Sequence, residues 1–444
     1  MRLHEAAQAL NAAAVGADLT FTRVVTDSRN LPADCLFVAL KGPRFDGHDF
    51  VGRALEQGAA AVMVEAGAAL SISPALVVDN TLLALGRLAA WHRQRLPAKL
   101  AAITGSNGKT TVKEMLAAIL AAEVGEAAVL ATEGNLNNDI GMPLTLLKLT
   151  AEHRYAAIEM GMNHPGEIAY LTQLARPDVA LVNNALRAHL EGLGTVEAIA
   201  RAKGEIYAGL KPDGIALINA DDAYADLWLG LADGHQVMRF GFAEHADVRI
   251  LDATPERARF ASPAGMLEVH LQVPGEHNLR NAAAAITLAL ALGISSDAIQ
   301  RGLSGYTGVK GRLQTRPCVL GATLIDDTYN ANPDSVLAAI QVLAARPGQR
   351  ILVLGDMGEL GPNALEMHRE VGARARAAGI DRLLCLGEMS LNSVEAFGSG
   401  GMHFERIEEL LAEIECALGP AVTVLVKGSR FMQMERVVQS FMET

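Results

Sequence analysis

The sequence predicts an α/β protein in which parallel sheets are covered by helices and the chain is divided into about three domains. Short apolar stretches that suit buried strands alternate with helical patterns along most of the chain, as expected for βα units. A glycine-rich run, T-G-S-N-G-K-T-T at residues 104–111, joins one such apolar stretch to one such helix. The length of 444 residues fits about three domains of ~150 residues each.

Bulk composition narrows the class of protein. Half of the residues are hydrophobic and only 4% are aromatic, so we expect aliphatic, alanine-rich cores. The net charge of −12 argues against nucleic acid as a partner, although it permits a local phosphate site. The cysteines, Cys35, Cys318, Cys385 and Cys416, are widely separated and indicate neither a zinc site nor a disulfide framework. Without a signal-peptide pattern or an apolar run that could span a bilayer, we expect a soluble cytoplasmic protein.

The predicted elements follow in order. Short strand and helix patterns alternate before Pro97. The middle region then predicts strands at 155–158, 179–182 and 215–218, antiparallel hairpins from about 237 to 273, and an alanine-rich helix at about 279–292. A third α/β unit begins near Thr315, with strands at 323–325, 351–354, 383–386 and 422–426.

The glycine-rich run is the clearest chemical signal. A strand, a glycine-rich turn, Lys109-Thr110 and an amphipathic helix form the arrangement that holds nucleotide phosphates, with backbone N–H groups of the turn and helix directed at the anion. Lys109 would add positive charge and Thr110 a hydroxyl for a magnesium ion. The standard P-loop has a glycine five residues before Gly108, where this chain has Ile103. A plain βα turn with a solvated lysine is the alternative.

Other candidates follow the neighbouring strands, because ligands of open parallel sheets bind beyond the carboxyl ends of the strands. Glu159 closes an apolar strand and suits magnesium coordination, although a solvated strand end has the same pattern. His189 follows the next strand and could equally be a loop histidine bonded to the backbone. For Lys203, in A-R-A-K-G-E, the pattern alone favours a solvated helix face.

A further pair of segments brackets the start of the third unit. Gly311-Arg312 precedes it, and the run D-D-T-Y-N at residues 326–330 follows its first strand. A positive residue and a carboxylate at a domain junction suit a nucleotide held between domains. An ordinary interdomain salt bridge would give the same pattern.

Taken together, these segments resemble the Mur ligases, the ATP-dependent enzymes that form amide bonds in peptidoglycan synthesis. The run T-G-S-N-G-K-T-T, the N…A-H stretch, A-K-G-E, H-N-x-x-N, G-R and D-D-T-Y-N-A-N-P occur in the order of that family. The family's loop also lacks the extra glycine. Three segments resemble the branch that adds D-alanyl-D-alanine: residues 132–147, 326–335 and 354–361. The likeness covers essentially the whole chain.

The resemblance implies a division into three domains. Residues 1–84 would form a smaller α/β domain that binds the UDP-sugar, and residues 85–313 a central P-loop ATPase-like domain with a parallel sheet. Residues 314–444 would form a Rossmann-like domain with nucleotide and D-Ala-D-Ala contacts. The implied cofactors are ATP and Mg²⁺, and the implied partners are UDP-N-acetylmuramoyl-tripeptide and D-alanyl-D-alanine. We expect a monomer.

The resemblance also implies roles for individual residues. Those expected in catalysis are Lys109, Glu159, His189, Lys203 and Arg312. Those expected to bind the nucleotide are Gly105, Ser106, Asn107, Gly108, Lys109, Thr110, Thr111, Asn281, Arg312, Asp327 and Tyr329. Magnesium would be held by Thr110 and Glu159, and by His189 with a carbamylated Lys203. Substrate contacts are expected from Ser28, Arg29, Lys41, Gly42, Asp46, His48, Asn135, Asn137, Asn138, Asn330, Asn332, Lys427, Ser429 and Arg430.

One departure and two alternatives accompany this interpretation. Arg187 stands close to His189 where the family commonly has glycine or proline. The first alternative is another ligase of the family, such as the enzyme that adds the third peptide residue or a folylpolyglutamate synthetase. The second is a nucleotide-dependent binding module without ligase chemistry.

Overall fold

The N-terminal domain is a small α/β unit built on one sheet. The computed structural model describes residues 1–68, 72–254 and 257–442. Strands of the first sheet are β1 (Ala13–Val15), β2 (Arg23–Val25), β3 (Cys35–Val38), β4 (Ala61–Glu65) and β5 (Ala75–Val78), and the helices are α1 (Leu3–Leu10), α2 (Val51–Glu56) and α3 (Thr81–Gln94). The sheet order is β1-β5-β4-β3-β2, parallel except for β1. Every residue of β3 is buried because helices cover both faces of the sheet.

The central domain is the largest and carries the glycine-rich run. Its strands are β6 (Lys99–Thr104), β7 (Val129–Ala131), β8 (Tyr155–Glu159), β9 (Val179–Val182), β10 (Ile215–Asn219), β11 (Gln236–Gly241), β12 (Val248–Ala253), β13 (Ala258–Ser262) and β14 (Gly265–Val269). Its helices are α4 (Lys109–Val124), α5 (Gly141–Leu146), α6 (Glu167–Ala175), α7 (Leu190–Leu193), α8 (Val196–Gly204), α9 (Ala225–Leu231), α10 (Glu276–Ala291) and α11 (Ser296–Ser304). The sheet order is β14-β13-β12-β11-β10-β9-β6-β8-β7.

Helices pack on both faces of the central sheet. Alanines of α10 pack with α4 and α11 on one face, and α5, α6, α8 and α9 cover the other. The carboxyl ends of the parallel strands β6, β8, β9 and β10 therefore meet along one edge. This edge holds the glycine-rich run, Glu159, Asn183 and Asn219.

The hairpin prediction for residues 237–273 is wrong in its first part. Strand β11 pairs in parallel with β10, and β12 pairs in parallel with β11. Only β12, β13 and β14 form the antiparallel ribbon. Short alternating segments occur in both kinds of pairing, so the pattern did not distinguish the parallel strand β11 from the antiparallel ribbon β12–β14 that follows it in the same sheet.

The C-terminal domain is a second doubly covered sheet. Its strands are β15 (Gln314–Pro317), β16 (Thr323–Asp327), β17 (Gln349–Gly355), β18 (Arg382–Leu386), β19 (Gly401–Phe404) and β20 (Val422–Lys427), and its helices are α12 (Pro333–Ala344), α13 (Ala364–Ala377), α14 (Leu391–Phe397), α15 (Ile407–Ala417) and α16 (Glu435–Phe441). The order is β15-β16-β20-β17-β18-β19, and only β15 is antiparallel to its neighbour. The predicted strands of this unit are confirmed.

Helix α3 connects the first two domains. Its residues Leu85 and Leu88 belong to the core of the N-terminal domain, whereas Ala89 packs in the core of the central domain. The predicted division after residue 84 falls inside this helix, since one continuous apolar stripe serves both cores. Among residues 1–68, 72–254 and 257–442, no helix is long and apolar enough to cross a membrane.

A close helix contact in the central domain gives a test of the packing. A Cβ added at Gly302 of α11 would lie 2.4 Å from the Cα of Ile119 in α4, so the helices must separate. We expect Gly302→Ala to lower the free energy of unfolding by about 1–3 kcal/mol, seen by calorimetry as a lower Tm. Gly230 in α9 has open space around it, so Gly230→Ala is the matched control. An equal Tm for both variants would contradict the packing described.

Candidate active site

A cavity of about 1330 Å³ lies where the three domains meet. The first domain contributes Leu82 and Leu83 at the start of α3. The predicted residues that line it are Ser106, Asn107, Gly108, Lys109, Thr110, Thr111, Asn137, Asn138, Glu159, His189, Asn281, Arg312, Asp327, Tyr329, Asn330, Asn332, Lys427, Ser429 and Arg430. The predicted residues outside its lining are Gly105, Asn135, Lys203 and the six candidates of the first domain.

The glycine-rich run turns tightly between β6 and α4. Gly105 and Gly108 have φ values of 155° and 81°, and the latter value is one that only glycine adopts readily. A Cβ at Gly108 would also lie 2.4 Å from Asn281 Oδ1 and 2.6 Å from Asn183 Nδ2. Asn183 donates to Asn281 Oδ1 and to the carbonyl of Asn107. Gly108 is therefore required by both its conformation and the two side chains packed against it.

Not all the loop amides are available to an anion, which corrects one sequence expectation. The N–H of Ser106 donates to the Asn184 carbonyl, and the N–H of Asn107 donates to Asn184 Oδ1 at 2.9 Å. The amides at the start of α4, from Lys109 onwards, have no intrahelical partner and carry the positive end of the helix dipole. The Lys109 ammonium donates to the Gly105 carbonyl at 2.7 Å. Burial lowers the pKa of Lys109, while the charge of nearby Glu159 acts in the opposite direction.

Three charged or polar groups converge at the helix start. Thr110 Oγ1 donates to Glu159 Oε2 at 2.7 Å and accepts from Arg312 Nη2 at 2.8 Å. Glu159 is only 2% exposed, so the solvated strand end is excluded. Its other oxygen accepts from Asn137 Nδ2 at 2.7 Å. Arg312 in turn lies over the Tyr329 ring, 4.1 Å from the centroid.

The oxygen groups at this point suit a magnesium ion. A hydroxyl and a carboxylate lie 2.7 Å apart at the positive end of α4, and oxygen ligands are those that Mg²⁺ prefers. No cluster of three or more His, Cys, Asp and Glu side chains with metal-binding geometry occurs within the described ranges. Thr110 and Glu159 could therefore bind the ion together with phosphate oxygens and water, as is usual for Mg²⁺.

Lys203 is buried, which overturns the solvated helix face favoured by the pattern. Its side chain is 1% exposed at the end of α8. Burial, with a further contribution from the charge of Lys109, lowers the pKa of Lys203 well below its usual value. Burial thus favours the neutral amine over the ammonium, and the neutral amine is the form that reacts with carbon dioxide.

His189 faces the C-terminal domain across the cavity. Its Nδ1 lies 2.7 Å from Glu359 Oε2, outside the angles of a directed hydrogen bond. The Glu359 carbonyl also accepts from the Glu191 N–H. His189 and Glu359 both have φ of 60°, a left-handed conformation that is uncommon for residues with a Cβ. Contact with His189 lowers the pKa of Glu359.

The cavity wall formed by the C-terminal domain is held by buried polar contacts. Lys427 Nζ donates to Asp327 Oδ2 at 2.6 Å and to the Asn330 carbonyl at 2.9 Å. The second oxygen of Asp327 accepts from the Leu313 N–H. Ser429 Oγ donates to the Ala331 carbonyl and accepts from the Gly358 N–H. Asp327 and Lys427, predicted as separate ligand contacts, therefore pair with each other.

Two sets of contacts join the central and C-terminal domains beside the phosphate loop. The amides of Asn107 and Asn332 exchange hydrogen bonds of 2.8 and 3.3 Å. Arg187 donates from its backbone and guanidinium to Asp334, with its Nη2 2.7 Å from Oδ1, and reaches Glu370 at 2.5 Å. Arg187, the departure noted in the sequence, thus binds α12 and α13.

The six candidates of the first domain lie beyond the carboxyl ends of β2 and β3. One of them has an internal role. His48 Nε2 accepts from the Glu65 N–H at 3.0 Å, so the proton is on Nδ1, which lies 2.6 Å from Asp46 Oδ1. Arg29 forms an exposed pair with Asp27, and Lys41 lies 3.7 Å from Asp46.

Sequence reasoning did not assign several residues that shape the cavity. Asn183 and Asn184 hold the phosphate loop, Glu359 faces His189, and Asp334 receives Arg187. The two asparagines directly follow a buried strand next to β6, a position that could have identified them. Glu359 and Asp334 lie in another domain, and their placement depends on how the domains meet.

Comparisons with known proteins agree with this geometry. The model of the Mur ligase middle domain matches residues 103–289, and that of the Mur ligase glutamate ligase domain matches residues 311–430. The model of the Mur ligase family catalytic domain matches residues 20–104. The three matches follow one another along most of the chain.

Individual relatives are similar over nearly the whole length. The UDP-N-acetylmuramoyl-tripeptide–D-alanyl-D-alanine ligase of Escherichia coli is 46% identical over 441 residues, which cover 98% of this chain and 96% of that protein. A crystal structure of MurF from Acinetobacter baumannii superposes with a TM-score of 0.91 at 37% identity, over 99% of this chain and 98% of that one. MurF ligase from Thermotoga maritima in complex with ADP gives a TM-score of 0.83 at 30% identity, over 94% of this chain and 96% of that one.

The Arg187 contacts predict how the domains are held together. Arg187→Ala removes the guanidinium from Asp334 and Glu370, which costs roughly 1–3 kcal/mol of closure free energy. We expect small-angle X-ray scattering of the ligand-free variant to show a larger radius of gyration. Arg201→Ala, which removes only an exposed pair within α8, is the matched control. Scattering identical to that of the parent protein would contradict the role of the Arg187 contacts in holding the two domains together.

Proposed function

The chain belongs to the Mur ligase family, and we propose that it joins D-alanyl-D-alanine to the terminal carboxylate of UDP-N-acetylmuramoyl-tripeptide, using ATP, in peptidoglycan precursor synthesis. The E. coli relative named for this reaction covers 98% of the chain. The observation that carries the proposal is the convergence of Thr110, Glu159 and Arg312 at the start of α4, in a cavity shared by three domains. We propose that the enzyme acts as a monomer and that it acts in the cytoplasm, where ATP is available.

The first proposed step activates the substrate carboxylate. A carboxylate oxygen forms a bond to the γ-phosphorus of ATP, and the bond to the bridging oxygen of ADP breaks with its electron pair on ADP. Two anions approach each other in this step, so positive charge around them lowers the barrier. Lys109, Arg312 and the N–H groups at the start of α4 supply that charge. The product is an acyl phosphate.

Magnesium would be held by Thr110 and Glu159, and when bound it neutralises charge on the phosphate oxygens. Arg312 donates to the Thr110 hydroxyl, which keeps that oxygen oriented at the loop. His189 and a carbamylated Lys203 would form a second site. Carbamylation converts a buried neutral amine into an anionic oxygen ligand, which is the type of ligand that Mg²⁺ prefers.

The second proposed step forms the amide. The amine of D-alanyl-D-alanine attacks the carbonyl carbon of the acyl phosphate, the carbon–oxygen bond to phosphate breaks, and inorganic phosphate leaves. We assign Asn330, Asn332, Lys427, Ser429 and Arg430 to the wall that receives the peptide ends. The nucleotide would contact Ser106, Asn281, Asp327 and Tyr329, beside the phosphate loop.

The UDP-sugar end of the substrate is assigned to the first domain. Ser28, Arg29, Lys41 and Gly42 lie at the carboxyl edge of its parallel strands, where ligands of such sheets bind. Asp46 and His48 support this loop through their mutual contact. Leu82 and Leu83, at the start of α3 and beyond the carboxyl end of β5, line the shared cavity.

Acceptor dependence separates this proposal from its alternatives. With ATP and UDP-tripeptide present, we expect phosphate release to require D-alanyl-D-alanine. Release that requires a free amino acid instead would identify another ligase of the family. Tight ATP binding without turnover for any acceptor would favour the binding module.

Lys203 gives a second test, directed at the metal site. Lys203→Ala removes the amine that would carry the carbamate, so we expect a loss of activity that bicarbonate does not restore. A short carboxylic acid can enter the space left by the side chain and partly replace the carbamate oxygens. Full activity of the variant would remove Lys203 from the site. Arg201→Ala on the same helix is the control for the folding of α8.

A further inference from the structure

Glu359 is a charged group in the cavity that the steps above do not use. It lies in the loop after β17 and lines the cavity, with its side chain 55% exposed. One carboxylate oxygen lies 2.7 Å from His189 Nδ1, and the backbone carbonyl accepts a hydrogen bond from the Glu191 N–H. The left-handed backbone at Glu359 costs on the order of 1 kcal/mol and persists where the surroundings fix it. The side chain is therefore held toward the central domain.

An opposite charge lies on the same wall. The Gly358 N–H donates to Ser429 Oγ at 2.8 Å. Glu359 directly follows Gly358 and Arg430 directly follows Ser429, so this hydrogen bond brings the two segments that carry the charges together. Arg430 is 66% exposed and uses one nitrogen for Glu435. The Phe431 ring is 65% exposed, and one of its carbons lies 2.9 Å from where a Cβ on Gly358 would be. The wall thus presents an anion, an apolar ring and a cation.

This sequence of groups matches the chemistry of a free dipeptide. Such a molecule has an ammonium at one end, a carboxylate at the other, and small apolar side chains between them. We propose that Glu359 binds the ammonium of the acceptor dipeptide and Arg430 its carboxylate, an inference that rests on the proposed function. The acceptor amine is then directed to the phosphate site.

The orientation follows from where the two charges are. Glu359 touches His189, and its charge acts on Lys109 of the phosphate loop. Arg430 instead pairs with Glu435 at the start of α16, in the C-terminal domain. Only the amine end must reach the acyl phosphate, so the anionic group belongs on the side of the phosphate loop. The reverse orientation would place a carboxylate beside Glu359.

The same arrangement accounts for selection of a dipeptide over one amino acid. In an amino acid the ammonium and carboxylate are on the same carbon, so its two charges are closer together than those of a dipeptide. The proposal requires that one amino acid does not contact Glu359 and Arg430 at the same time. A dipeptide whose terminal carboxylate is converted to an amide keeps only the first contact. Glu359 and Arg430 therefore recognise the acceptor by the distance between its two charges more than by its side chains.

The test is a steady-state comparison of Glu359→Gln with the parent enzyme. The substitution keeps the shape and removes the charge, so we expect the KM for D-alanyl-D-alanine to rise roughly 10- to 100-fold, as for loss of a charged hydrogen bond. The KM values for ATP and UDP-tripeptide should stay within about twofold of the parent, because neither substrate loses a charged hydrogen bond in this variant. Acyl-phosphate formation without acceptor, trapped by hydroxylamine, should be unchanged. Glu366→Gln, an exposed site on α13, is the matched control.

Each other outcome has a distinct meaning. An unchanged KM for the dipeptide would overturn the inference. Higher KM values for all three substrates, or loss of the trapped intermediate, would also overturn it and make Glu359 a partner of His189 in domain closure. A parent enzyme that does not use D-alanyl-D-alanine would overturn the proposed function itself, which keeps the two failures distinguishable.

Discussion

The site depends on the contact of Thr110 with both Glu159 and Arg312. Thr110 starts the helix that follows the phosphate loop, Glu159 ends the neighbouring strand, and Arg312 comes from the segment that leads into the C-terminal domain. One hydroxyl therefore joins a helix dipole, a buried carboxylate and a cation from the segment before the C-terminal domain. Because a buried carboxylate is costly without partners, these groups stabilise one another, and we propose that they supply the local field for phosphoryl transfer.

Contacts between the central and C-terminal domains extend this arrangement outward. Asn107 exchanges hydrogen bonds with Asn332, and Arg187 binds the helices that follow β16 and β17. His189 and Glu359 meet between these contacts, each in a left-handed conformation. An acyl phosphate needs protection from water, and we propose that these polar contacts hold the two domains together around it and separate when substrates enter.

The sequence predicts the local parts of this structure better than the contacts between domains. The strand, glycine turn and helix around Gly108 follow from local patterns, and so do the strand ends that carry Glu159 and Asn183. The parallel pairing of β11 with β12 was missed because both kinds of pairing suit short alternating strands. The burial of Lys203 depends on what packs over α8, and the role of Glu359 depends on how two domains meet. Neither property has a periodic pattern in the chain.

The central claim is that this convergence of charge activates a carboxylate by attack on the γ-phosphate. The most direct measurement uses UDP-tripeptide with ¹⁸O in its terminal carboxylate, followed by mass spectrometry of the products. The account predicts that one labelled oxygen appears in inorganic phosphate and that ADP stays unlabelled. Label in AMP, or phosphate without label while the amide forms, would contradict it.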